Sequence, residues 1–345
     1  MTEAVERLWA AVVDGDQFAA SEVVISAYEG GMSAEDVLLD VIGAVQRRVG
    51  VEWAANRLSV AQEHAATAIN DRVITVLTQL CPRPVQSRGR VTVTCVDGEW
   101  HALPARLLAE TLTLRGFRVD YLGAQVPTPH LITHLHRTGP DAVALSSSIA
   151  TRLPTAHATI TACQATGTPV IAGGAAFGFD GRYATQLGAD AWEPNARAAA
   201  DRLAAGPLPR PELGLADVLT HLADQEYTMV CRAAPQLVKA VFTGLDDRYP
   251  AMRSYTEAQR SRTAEDIAHI VEFLATGLYV DDDDLFTGFI AWTGDILAAR
   301  GVPAASLLPT LELLGGELRD FPRATRLLAA ARDGVAADLD RGRTA

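Results

Sequence analysis

Residues 91–112 read VTVTCVDGEWHALPARLLAETL, and the change of pattern inside this stretch decides the fold. VTVTCV is rich in β-branched residues and has no breaker, so it reads as a strand. PARLLAETLTLRG carries apolar residues at helical spacing and reads as a helix. Between them lies EWHALP, residues 99–104. Pro104 suits the first turn of a helix, where its missing N–H has no partner to lose. His101 therefore falls at a strand-to-helix junction, with Glu99 two residues before it. An imidazole binds a transition metal through one ring nitrogen and needs an acceptor for the other. Glu99 is placed to be that acceptor. With a single local histidine, a zinc site built from several side chains is disfavoured. A macrocycle that brings its own four equatorial ligands needs only one histidine. A surface histidine in a βα loop is the alternative.

Outward from this junction the pattern repeats. FRVDYLG, DAVALSSS and PVIAGGAAF read as strands or strand ends, and HLITHLHRTG and TAHATITACQATG as helices. Strict alternation over about 88–206 predicts a doubly wound parallel sheet. Such sheets bind ligands beyond the carboxyl ends of their strands. His101, the serines Ser146–Ser148 and the pair Gly173–Gly174 all fall at those ends.

The flanks read as helical. Over 1–80, MSAEDVLLDVIGAVQRRVG has a cap at Ser33, and Ser59 with Gln62 fits a capping box. Ala65, Ile69, Val73 and Leu77 then form an apolar stripe, so a small helical bundle is expected. CPRPVQSRG and GPLPRPELG, the latter at 206–214, read as linkers. From 215 to 345 the pattern is helical again, with AEDIAHIVEFLATGLYV and DLFTGFIAWTGDILAARG as long amphipathic segments. The predicted fold class is multidomain, α and α/β: a helical bundle over 1–80, a doubly wound parallel sheet over 88–206 and an all-α domain over 215–345.

Composition narrows the function classes. Forty-two acidic against 30 basic side chains give a net charge of -12, which argues against direct nucleic-acid binding. The start, MTEAVERLWAAVVDGD, has acids where a signal peptide carries a basic head, and no apolar run of membrane-spanning length occurs. A cytoplasmic location with no membrane partner is expected. The four cysteines are scattered and form neither a ligand cluster nor a disulfide framework. No phosphate-loop motif or GxGxxG run is present.

The segment 90–205 resembles the cobalamin-binding domain of methionine synthases, corrinoid proteins and B12-dependent photoreceptors. That family has a DxHxxG motif whose histidine is the lower axial cobalt ligand, a serine-x-leucine motif and a Gly-Gly pair lining the channel for the displaced nucleotide tail. The resemblance implies that His101 ligates cobalt, that Glu99 supports it, and that Ser146, Ser148, Gly173 and Gly174 line the channel. Here Glu99 stands for the aspartate, Pro104 for the motif glycine and Ser148 for the leucine. A decayed domain without cobalamin and a flavodoxin-like domain without cobalt are the alternatives. In the first segment, Trp53 followed after nine residues by Glu63 and His64 resembles the helical cap of photoreceptors that use adenosylcobalamin. This implies Trp53 over the upper corrin face, Glu63 accepting hydrogen bonds from the adenosyl group, and His64 as a second metal ligand after Co–C cleavage. Adjacent on a helix, Glu63 and His64 are expected to diverge by roughly 100°.

The third segment resembles globin-like or phycobiliprotein-like domains, and the whole arrangement resembles the photocobilins. That implies a noncovalent bilin such as biliverdin. Asp266 would accept from its pyrrole N–H groups, Arg253, Arg260 and Arg262 would pair with its propionates, and His269 would sit nearby. Phe273, Tyr279, Phe289 and Trp292 would line the pocket. The implied function is a non-enzymatic light sensor, a homodimer passing its signal to a downstream effector protein. Weighed against it are a corrinoid protein supporting a methyltransferase or radical enzyme, and a haem-sensing protein with a degenerate B12 domain.

Overall fold

A computed structural model describes residues 1–82, 84–211 and 219–344. The chain divides into two compact units, Met1–Asp217 and Val218–Ala345. The end of the linker expected at 206–214, and the expected start of the third domain at 215, lie outside the described residues.

The first unit begins with helices α1 (Thr2–Val13), α2 (Gln17–Glu29), α3 (Ala34–Asp36), α4 (Gly43–Ala54) and α5 (Val60–Leu80). The Ser33 hydroxyl accepts from the Asp36 amide, and the Ser59–Gln62 capping box forms as the sequence predicts. Each such cap contributes about 1 kcal/mol by satisfying a helix-end donor. Between α3 and α4 the chain runs on through a π-helical turn, Val37–Ile42, which no local pattern in the sequence predicts. The wider turn rotates the succeeding helix α4 about its axis, so Val37, Leu38, Val41, Ile42, Val45 and Val49 all enter one core. On α5 the buried stripe is Ala66, Ile69, Val73 and Leu77; Ala65 is exposed.

The same unit continues as β1 (Arg90–Cys95), α6 (Ala102–Leu114), β2 (Arg118–Gly123), α7 (Thr128–Thr138), β3 (Ala142–Ser146), α8 (Leu153–Ala165), β4 (Val170–Gly173), α9 (Arg182–Gln186), β5 (Ala191–Trp192) and α10 (Ala196–Ala204). The five strands lie in the order β2-β1-β3-β4-β5 and every pairing is parallel. The winding reverses between β1 and β3, the switch point where such sheets open a crevice. Register aligns Cys95 with Ser146 and Ser146 with Gly173. The three stretches singled out in the sequence thus end side by side.

Charged pairs tie the helical bundle to the sheet. Arg115, at the C-terminal end of α6, places two nitrogens 2.9 and 2.7 Å from the Glu35 carboxylate. Arg197, in the first turn of α10, reaches Glu35 at 2.9 Å, Asp36 at 3.2 Å and Asp40 at 2.9 Å.

The second unit is all-helical: α11 (Glu226–Arg248), α12 (Glu257–Val280), α13 (Asp283–Ala299), α14 (Leu307–Glu317) and α15 (Pro322–Thr344). Its core gathers Val230, Val241, Leu274, Phe286, Leu311 and Leu327 from all five helices. Buried Glu226 accepts from the Arg323 and Ala324 amides at the start of α15. Among the described residues no helix is long and apolar enough to cross a membrane.

Candidate functional site: a crevice at the switch point

His101 precedes the first turn of α6 and its side chain is exposed. Its Nδ1 lies 2.6 Å from Glu99 Oε1, and its amide donates to the same oxygen at 2.9 Å. The other carboxylate oxygen accepts from Ser147 Oγ at 3.0 Å, the Ser148 amide at 2.7 Å and the Ile149 amide at 3.1 Å. Glu99 is only 1% exposed, so these five bonds replace water completely. Burial alone would push its carboxyl up. The hydrogen bonds from the His101 ring and amide and from the Ser148 amide outweigh burial and bring it down to about 2. Ionised Glu99 in turn raises the His101 pKa, chiefly through the hydrogen bond to the ring. With Nδ1 committed to Glu99, Nε2 is left for a ligand.

Gly174 closes the far side of this loop cluster. It has φ +100°, and a Cβ there would lie 2.2 Å from the Ser147 carbonyl oxygen. Behind the loops a cleft runs between α6, β3, β4 and the start of α10. Leu108, Leu145, Ser146, Ile171, Gly173 and Asn195 are among its walls. Its cavity volume is about 110 Å³.

The bundle faces the crevice with the first turn of α5. Glu63 is close enough to raise the His101 pKa through space. Glu63 and His64 do not diverge as expected: His64 Nδ1 lies 2.7 Å from Glu63 Oε2 and 2.9 Å from the Val60 carbonyl oxygen. His64 is exposed, whereas Trp53 packs partly buried against the bundle core. Ser147, which sequence reasoning passed over for its neighbours Ser146 and Ser148, supplies the hydroxyl bond to Glu99. The run of identical residues gave no signal to separate them.

These features fit a corrinoid. One exposed imidazole with a fixed acceptor suits a macrocycle that brings its other ligands, and an apolar cleft adjoins it behind Gly174. Among the described residues no cluster of three or more His, Cys, Asp or Glu side chains offers an all-protein metal site.

Residues 89–204 match a family described as a B12 binding domain, and residues 4–78 match a second so described. The chain thus carries a helical cap and a parallel-sheet cobalamin-binding domain, and cobalamin is its cofactor. The trimethylamine corrinoid protein of Methanosarcina barkeri is 24% identical over 154 residues, 44% of this chain and 71% of that protein. The HTH-type transcriptional repressor CarA of Myxococcus xanthus is 32% identical over 144 residues, 41% of this chain and 46% of that protein. The solved monomethylamine corrinoid protein of Methanosarcina barkeri shares the fold, with a TM-score of 0.52 at 20% identity over 59% of this chain and 98% of that one.

These findings correct the photocobilin expectation. The trimethylamine corrinoid relatives and the shared corrinoid-protein fold favour the corrinoid-protein alternative over a light sensor with a bilin chromophore and a globin-like domain. The expectation that the chain is not an enzyme agrees with these relatives.

The second unit adds physical reasons. Arg260, expected to pair with a propionate, forks onto Asp246 at 2.9 and 3.2 Å. Arg253 donates to the Asp246 carbonyl oxygen at 3.2 Å. Arg262, Asp266 and His269 lie exposed along α12. Phe273 and Phe289 stack on each other at 3.6 Å between ring centroids, so the expected aromatic wall closes on itself.

Proposed function

We propose that this chain is a cobalamin carrier: it holds the cofactor between cap and sheet and presents it to a methyltransferase partner. The Glu99–His101 pair carries this reading. When bound, cobalamin supplies a cobalt centre that takes up and releases a methyl group. His101 Nε2 would hold the cobalt. Glu99 keeps the proton on Nδ1, fixes the ring plane and raises the donor strength of the imidazole. Because Glu99 stays ionised far below neutrality, it acts as a fixed negative charge beneath the site rather than as a proton donor. Ser146, Gly173 and Gly174 line the cleft that would receive the nucleotide tail, while Ser148 contributes its amide to Glu99. Trp53, Glu63 and His64 of the cap would cover the bound cofactor from the side opposite His101. The relatives named as methylamine corrinoid proteins support methyl as the exchangeable group. A homodimer is part of the same proposal, since closed two-fold pairs are the commonest soluble oligomers.

The test is repeated loading in the dark. Reconstituted with cobalamin, reduced and treated with a methyl donor, the chain should take up methyl and give it to a thiol acceptor over successive cycles while retaining the cofactor. Loss of the cofactor at each cycle would overturn the carrier reading.

A further inference from the structure

Two side chains of the sheet grip the start of α6. Tyr121 on β2 donates its hydroxyl to the Ala102 carbonyl oxygen at 3.3 Å, and Cys95 at the end of β1 directs its thiol at the His101 carbonyl oxygen at 3.8 Å. Carbonyls at a helix start already accept from the amides four residues on, so the helix forms without these side-chain donors. Each carbonyl has a second lone pair to offer. The two bonds therefore bear on where the turn sits, not on whether it is helical. Glu99 meanwhile takes the ring and the amide of His101. The histidine is thus held at its ring, its amide and its carbonyl, and the next carbonyl is held as well.

The half-buried Tyr121 is itself confined. Strands β1 and β2 pair in register from Arg90–Arg118 to Val93–Tyr121, and the next pair is Thr94–Gly123. Leu122 is skipped, so a bulge follows Tyr121 directly. Bulges bend a strand and re-aim the side chains beside them. The Arg106 guanidinium lies over the Tyr121 ring, 5.7 Å from its centroid, within cation–π range. Arg106 is fixed in turn: its Nε lies 2.8 Å from Glu110 Oε1, and its Nη2 donates to Thr75 on α5 at 3.3 Å. A ring clasped between α6 and a bulged strand aims its hydroxyl at one acceptor.

We propose that Tyr121 is a positioning residue for His101: its hydroxyl fixes the turn that carries the imidazole, so that Nε2 is offered to a ligand in one direction. This role rests on the cobalamin reading, which names the ligand; the grip on the turn does not.

Tyr121→Phe keeps the ring and its contact with Arg106 and removes only the donor. In the full, cofactor-free chain, hydrogen exchange at the His101 and Ala102 amides, which donate to Glu99 and to the Trp100 carbonyl, should quicken about fivefold, the effect of one neutral hydrogen bond on a local opening. The Val93 and Val143 amides of the core strands should stay within about twofold. Equal acceleration at all four amides would make Tyr121 a purely structural residue, and no change at His101 and Ala102 would mean no grip; either result overturns the proposal. The second readout is the chain loaded with one-electron-reduced cobalamin. There the ratio of histidine-bound to histidine-free cobalt, read from the nitrogen splitting in electron paramagnetic resonance, should fall about fivefold in the variant. An unchanged ratio would also overturn the positioning role. A wild-type chain with no histidine nitrogen on its cobalt would instead sink the cobalamin reading, and the exchange rates would still decide whether Tyr121 holds the turn.

Discussion

Glu99→Ala should destabilise the cofactor-free chain by about 3–5 kcal/mol, the range for removing one partner of a buried charged network. Five donors converge on this carboxylate: the His101 ring and amide, Ser147 Oγ, and the Ser148 and Ile149 amides. Alanine strands the buried ones away from water. The loss should depend on pH in a definite direction. The carboxyl is lowered from its ordinary 4.5 to about 2, so its contribution is complete above about pH 4.5 and disappears as pH falls through about 2. His101 has the opposite sign. Its pKa is raised above 6.5 by Glu99, so the ring contributes most below 6.5 and less as pH rises through the folded value. Urea unfolding of wild type and variant at several pH values checks both. A difference below about 1 kcal/mol at neutral pH, that of an ordinary surface change, would show that the network is not holding the loops.

Gly174→Ala should be nearly as damaging, by about 3 kcal/mol or more, because clash and backbone strain act together. The added Cβ would sit 2.2 Å from the Ser147 oxygen and 2.9 Å from its carbonyl carbon, at φ +100°. Relief requires moving the segment that carries Ser147, and with it the bond from Ser147 Oγ to Glu99 and the bond from the Ala176 amide to the Ser147 carbonyl. Gly173→Ala is the control. Its Cβ would meet the Glu193 carbonyl oxygen at an ordinary 3.5 Å with no positive φ, and it should cost less than about 1 kcal/mol. Denaturation midpoints compare the two. Equal shifts would mean that the close approach at Gly174 does not constrain the crevice.

How much was legible depended on the distance over which each feature is encoded. The Glu99–His101 hydrogen bond and the caps at Ser33 and Ser59 act within one turn of chain, and local spacing pointed to them; a cobalt-holding role for His101 came only from the family resemblance. Parallel winding was readable because strand and helix patterns alternate without interruption from Val91 to Phe177. Strand β5 was missed because its two residues, Ala191 and Trp192, carry no period. The hydrogen bonds that join Gln46 on α4 to Thr67 and Asn70 on α5 were missed because polar residues on amphipathic helices read as solvent-facing until the partner helix is placed. Glu35, Arg115 and Arg197 lie far apart in sequence, and only the fold brings them together. The helices of the second unit were readable, but their identity was not. Amphipathic periodicity is common to many helical folds, and arginines that suited propionates on paper, Arg253 and Arg260, are engaged by α11.

The proposed function turns on the imidazole of His101, oriented by Glu99, which would hold the cobalt of bound cobalamin. Electron paramagnetic resonance of the chain loaded with one-electron-reduced cobalamin tests it most directly, using protein whose histidines carry the spin-one-half isotope of nitrogen. The axial nitrogen splitting should change from a triplet to a doublet on labelling, and His101→Ala should abolish this label-dependent splitting. A splitting indifferent to the label would place the cofactor's own base on the metal and rule out His101 as its ligand.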